Sequence, residues 1–96
     1  MNVVKTGMAG TLESSDIMVT VSNGTLEGIV IHLTSSVSKQ FGKQIKDVIR
    51  DCARKLGVTT AEITAVDQGA LDCVIKARVE TALYRACDSH DFKWEV

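Results

Sequence analysis

The feature that most restricts the fold of this chain is a change of hydrophobic period near residue 36. Before that point the apolar residues alternate. In DIMVTVS, residues 16–22, Ile17, Val19 and Val21 share one face and Met18 and Thr20 the other. In IVIHLTS, residues 29–35, Ile29, Ile31 and Leu33 share one face, with Val30 and His32 opposite. Period two marks strands with one buried side. From Val37 onward the spacing becomes three and four. Val37, Phe41, Ile45, Val48, Ile49, Cys52 and Leu56 form the stripe of an amphipathic helix. Ser35 or Ser36 is expected to cap its start and Gly57 to close it. Arg54 and Lys55 suit the negative end of its dipole.

The remaining segments follow the same logic. Residues 3–12 are expected to form a first strand, made less regular by Gly7 and Gly10. Asn23-Gly24, between the two clearest strands, is a hairpin signal because both residues tolerate positive φ. EITAVDQ reads as a short strand with Ile63 and Ala65 on one face. Leu71, Val74, Ile75, Val79, Ala82, Leu83 and Ala86 mark a second helix from about Ala70 to Cys87. The tail DFKWEV alternates Phe92, Trp94 and Val96, as a last strand or an apolar hook would. The order implies an α+β two-layer sandwich, a small, mostly antiparallel sheet with two helices on one face. Ninety-six residues without proline, repeat or linker imply one domain spanning 1–96. Only four residues are aromatic, so the core must be aliphatic.

Charge and composition exclude several roles. Eleven basic residues against twelve acidic ones give a formal charge of −1, and the basic residues are dispersed. That is the opposite of the dense basic face that phosphate backbones require. No apolar run approaches membrane-spanning length, and MNVVKTGMAG lacks the apolar centre of a signal peptide. Three widely spaced cysteines without C-x-x-C argue against a zinc site or redox pair. The expected location is therefore the reducing cytoplasm, with no nucleic-acid or membrane partner.

Candidate sites fail one after another. The histidines are His32 and His90, and neither comes with a nucleophile signature such as G-x-S-x-G. Asp47 and Asp51 lie among Arg50, Arg54 and Lys55, a charge-paired helix face. GMAG at 7–10 is a G-x-x-G string, but it falls in an extended segment, not between the two helices of an RNA clamp. Ser89, in DSH, follows a helix instead of opening one. Glu13 and Asp16 lack a calcium-loop pattern. The sequence thus offers no catalytic residue and no metal site.

ESSD, residues 13–16, remains. Two hydroxyls, Ser14 and Ser15, stand between Glu13 and Asp16 in a short connection between strands. Such residues are ordinary turn formers. An exposed turn hydroxyl can also reach into another enzyme's active site, with Glu13 and Asp16 expected to keep the turn in water.

Beyond this point a resemblance carries the reading. AGTLESSDIMVTV resembles the N-terminal segment of the acyl carrier protein (gamma) subunit of citrate lyase. LTSSVSKQFGKQIKDVI and VDQGALDCVIKARVETALYRA resemble further blocks of that family, and FKWEV its W-E ending. The blocks cover essentially the whole chain in order. The resemblance implies a CoA-derived prosthetic group, 2′-(5″-triphosphoribosyl)-3′-dephospho-CoA, joined through phosphate to the serine that follows Glu, here Ser14. Family members often carry Gly next, where this chain has Ser15, so the choice of Ser14 over Ser15 rests on the alignment. It implies a non-catalytic carrier holding acetyl and citryl thioesters while alpha and beta subunits cleave citrate to oxaloacetate and acetate. A prosthetic-group transferase and an acetate ligase would be further partners. The carrier of a malonate-decarboxylase-like complex, or an α+β assembly module with no attached group, are the alternatives. The Phe92/Trp94 tail is the expected docking element.

Overall fold

The computed structural model describes residues 2–24 and 27–87. The elements run β1 (Gly7–Ala9), β2 (Ile17–Ser22), β3 (Ile29–Ser35), α1 (Ser38–Lys55), β4 (Ala61–Asp67) and α2 (Asp72–Ala86). The strands form one sheet in the order β1-β2-β4-β3. β1 and β2 pair antiparallel, as do β2 and β4, whereas β3 and β4 run parallel. The sheet is therefore mixed, and the α+β architecture matches the sequence expectation.

The alternating residues point where the pattern requires. Ile17, Val19 and Val21 of β2 and Ala61, Ile63 and Ala65 of β4 are fully buried. They meet Ile45, Ile49, Cys52 and Ala53 of α1 and Ile75, Val79, Ala82 and Leu83 of α2 in one cluster. Each Val, Leu or Ile among them contributes about 1.5–3 kcal/mol of burial when it leaves water. Ile29, Ile31 and Leu33 are only half-buried, because β3 is an outer strand. The opposite face of the sheet, with His32, Glu62 and Thr64, is uncovered by any described element. Cys52 behaves as a small core residue. Burial pushes its thiol up to about 11, so it stays protonated at neutral pH.

Four expectations change. First, β2 and β3 do not form a hairpin with each other. β4 inserts between them, because the β3–α1–β4 crossover returns the chain parallel to β3 and leaves the other edge of β4 to pair antiparallel with β2. Second, β1 is three residues long, not ten. The backbone N–H groups of Val4 and Lys5 donate to Ala86 O at the end of α2 instead of to a strand, and Gly10 turns to φ +93°. Third, neither candidate serine caps α1. The N-cap is Val37, without a side-chain bond, while the Ser35 hydroxyl accepts from Val37 N at 3.1 Å one step earlier. The C-terminus is as expected. Gly57 N donates to Arg54 O and Val58 N to Ala53 O, the paired bonds of a Schellman motif. Fourth, Phe41 and Leu71, both assigned to apolar stripes, are 48% and 71% exposed. They lie at the first turns of the helices and line one groove instead of the core. The 92–96 tail and the DSH segment lie outside the described residues.

The G-x-x-G string has a packing explanation. A Cβ on Gly7 would stand 2.4 Å from Ala82 O and Ala86 N, and one on Gly10 would stand 1.8 Å from Ile17 O. Gly7 lets β1 lie against the backbone of α2, and the small residues Ala82 and Ala86 meet it from the helix side. Gly7→Ala is therefore expected to cost roughly 2–3 kcal/mol through overpacking. A shift in urea midpoint without a change in slope would report it.

Candidate functional site

The loop between β1 and β2 is built around one carboxylate. Asp16 is almost completely buried and accepts five hydrogen bonds. Thr11 donates its backbone N–H at 3.1 Å and its hydroxyl at 2.7 Å to Oδ2. Ile17 N donates to Oδ1 at 2.8 Å. Arg78, on α2, makes a two-pronged contact, Nε to Oδ1 at 3.0 Å and Nη2 to Oδ2 at 3.1 Å. A buried carboxylate needs this degree of pairing to remain charged. The hydrogen bonds from Thr11, then those from Arg78 and Ile17, hold the Asp16 pKa at about 2, well below its ordinary 3.8. Asp16 therefore does not keep the turn in water. It points inward, because α2 places a guanidinium at its side.

Two backbone bonds fix the loop to the neighbouring strand end. Ser15 N donates to Gln68 O at 2.8 Å, and Gln68 N donates to Asp16 O at 2.9 Å. The next turn, after β4, is organised by a second buried carboxylate. Asp67 accepts from the Ser35 hydroxyl at 2.9 Å, from Gly69 N at 3.2 Å and from Ala70 N at 3.0 Å. Asp67 is opposite Ile17 in the β2–β4 ladder. The two carboxylates thus brace one end of the sheet.

On this base stands the turn Glu13–Asp16, closed by Asp16 N donating to Glu13 O at 3.2 Å. Ser14 is its second residue and Ser15 its third. Ser15 has φ +65°, the one positive φ among the described non-glycine residues. A positive φ at the third position is the mark of a type II turn, which favours glycine there. Glu13, Ser14 and Ser15 are all exposed. Among the described residues, the loop's side-chain hydrogen bonds use Thr11 and Asp16 and leave the Ser14 hydroxyl facing solvent. The structure thus gathers Glu13, Ser14 and Ser15 on one projecting turn and sends Asp16 into its base.

The chain is similar over nearly its whole length to proteins named citrate lyase acyl carrier protein. It is 55% identical to that of Oenococcus oeni over 97 residues, covering all of this chain and 99% of the relative. It is 52% identical to that of Streptococcus mutans serotype c over 95 residues, covering 99% of this chain and 93% of the relative. A third, from Lacticaseibacillus casei, is also 52% identical over 95 residues, with the same coverage. The chain belongs to the citrate lyase acyl carrier protein family. Residues 4–86 also match the family model described as malonate decarboxylase delta subunit.

Within this carrier fold the sequence reading missed Thr11, Gln68, Asp67 and Arg78. Thr11 and Asp16 are five residues apart, a local signal that could have been read as a hydroxyl–carboxylate turn. Arg78 is sixty-two residues from Asp16, and nothing local in the sequence pairs them. Other candidate groups stay apart from this end of the sheet. His32 contacts Glu62 at 3.0 Å on the uncovered face. Arg50 pairs with Asp47 at 3.5 Å, the charge-paired face expected. No group of three or more His, Cys, Asp or Glu among the described residues could hold a metal ion. The groove of about 540 Å³ lined by Phe41 and Leu71 is also lined by Asp67 and Gly69, so it shares the turn that braces the loop.

Ser15→Gly is expected to raise stability by about 0.5–1 kcal/mol, because it relieves a left-handed conformation that β-carbon-bearing residues resist. Chemical denaturation measures the change, and a loss of stability would contradict the turn assignment. Acid gives an independent check. Since folding lowers the Asp16 pKa from 3.8 to about 2, its contribution is complete above the unfolded value and is lost as the pH falls through the folded one. Protection of the Thr11 and Ile17 amides from exchange should fall between about pH 4 and pH 2. In Asp16→Asn it should be weaker at neutral pH and insensitive to this window.

Proposed function

We propose that this chain is the acyl carrier subunit of a citrate lyase, acting in the cytoplasm, and that Ser14 Oγ carries 2′-(5″-triphosphoribosyl)-3′-dephospho-CoA through a phosphate. The observation that carries the reading is an exposed serine at the tip of a turn whose backbone is fixed on both sides, in a chain of the citrate lyase acyl carrier protein family. The residues fit the group's needs. Attachment requires one accessible hydroxyl, and Ser14 offers it without a neighbouring side chain held across it. Ser15 serves the turn by its backbone conformation and its N–H, a role that glycine fills equally well. This supports Ser14 as the attachment point.

When bound, the group supplies a terminal thiol on which acyl groups are held as thioesters. The chain's own residues do the positioning. Asp16, Thr11 and Arg78 hold the departure point of the arm rigid, and Asp67 holds the adjoining turn. A tether of this kind replaces free diffusion by a high local concentration at each partner's site. The alpha and beta subunits would perform the exchange and cleavage, and a transferase and an acetate ligase would load the arm. The side chains of this chain need perform none of that chemistry. The malonate decarboxylase family model supports a second reading, a carrier for a related decarboxylase. Identities of about half over the full length with citrate lyase carriers favour the first.

No Lys or Arg lies between Lys5 and Lys39, so trypsin should release residues 6–39 as one peptide. From the native, citrate-fermenting host, that peptide should carry a phosphorylated nucleotide adduct. Fragmentation should localise it to Ser14 and not to Ser15, Ser22, Ser35, Ser36 or Ser38. Ser14→Ala should fold normally, within about 0.5 kcal/mol of the parent, and carry no adduct. An unmodified peptide from that host would sink the carrier reading, and an adduct on Ser15 would move the site.

A further inference from the structure

No basic run is longer than Arg54-Lys55, yet the basic residues gather on one helix. α1 holds six of the eleven Lys and Arg residues and two of the twelve acidic ones. It is a helix of net +4 in a chain of net −1. Lys39, Lys43, Lys46, Arg50 and Arg54 recur at intervals of four, three, four and four. At 100° per residue they fall within about 80° around the axis and span about 22 Å along it. Lys39, Lys43, Lys46 and Arg54 are exposed and Arg50 is half-buried. Among the described residues the stripe's ion pair is Arg50 with Asp47.

Helix stability does not account for the stripe. Arg54 suits the C-terminal dipole, but Lys39 occupies the first turn, where a cation is unfavourable. The first turn contains no acidic residue to offset it. The flank also has a defined position. Gln44 and Phe41 turn toward α2, with Gln44 bonded to Asp72. Arg50 and Arg54 instead line a cleft of about 420 Å³ with Gly28, Ile29, Val58 and Thr59, over the start of the outer strand β3. Cations on one flank and a cleft edged by two guanidinium groups suit carboxylates. A nucleic acid fits less well, because Asp47 and Asp51 run beside the stripe and the rest of the chain is acidic. A membrane surface fits less well too, because the apolar side of α1 is committed to the core.

We propose that this flank of α1 docks an acidic surface of a protein partner, with the Arg50–Arg54 cleft receiving a carboxylate. The inference rests on the carrier reading for the identity of that partner, the large subunits of the lyase. It does not require the prosthetic group, so the test uses the unloaded full chain titrated with the purified subunits. Wild-type affinity should weaken about tenfold between about 50 and 300 mM salt. The double reversal K43E/R54E should weaken low-salt binding at least about tenfold, whereas K76E on α2 should stay within about twofold. S14A should bind like the wild type, which separates docking from loading. Circular dichroism checks the fold of each variant, and K43Q/R54Q replaces the reversal if that variant unfolds. Binding by K43E/R54E within about twofold of wild type would overturn the proposal. So would no measurable wild-type binding, or tighter binding to polyuridylate or to phosphatidylglycerol vesicles than to the subunits.

Discussion

The carboxylate of Asp16 ties three otherwise separate parts of the molecule together. It closes the β1–β2 loop through Thr11, starts β2 through Ile17 N and fastens both to α2 through Arg78. A charge in this position is tolerable only while its lone pairs are occupied, since burial without partners would be strongly unfavourable. The loop geometry follows from that requirement. Gly10 must turn so that Thr11 can reach the carboxylate, and the chain between Thr11 and Asp16 is left to project as a tight turn. Ser14 is exposed because Asp16 is not.

The same end of the sheet is braced a second time. Asp67 collects the Ser35 hydroxyl and two backbone N–H groups of the following turn, and Gln68 exchanges backbone bonds with the loop. Two loops that are distant in sequence thereby form one rigid platform. The arm proposed for Ser14 would benefit from this arrangement. Flexibility in the tether costs little, but a wandering attachment point would dilute the local concentration that tethering provides. The basic flank of α1 points away from α2, toward the outer edge of the sheet. The proposed attachment and the proposed docking therefore use different surfaces of a small fold.

The conformation of Ser15 connects the sequence to this geometry. Its φ of +65° lies in the left-handed region that favours glycine. A serine there retains the turn at some conformational cost, and its N–H still bonds Gln68 O. The G-x-x-G string shows the same principle. Read as a motif it suggested nucleic-acid binding and failed. In the fold its two glycines serve close packing on α2 and the entry to the loop.

The sequence by itself determined the strands β2, β3 and β4, the two helices and the face that each buries, because hydrophobic period is a local property. Family resemblance singled out Ser14 in the same way, through residues adjacent in the chain. Only the tertiary structure decided that β4 lies between β2 and β3, that Asp16 points inward, and that Phe41 and Leu71 leave the core to share a groove. Each of these depends on groups brought together from far apart in the chain: a crossover helix for β4, Arg78 for Asp16, and the facing first turns of α1 and α2 for the groove. Local pattern specifies which side of an element is apolar. It does not specify which distant element will meet the other side, and that meeting is what holds the Ser14 turn in place with its hydroxyl exposed.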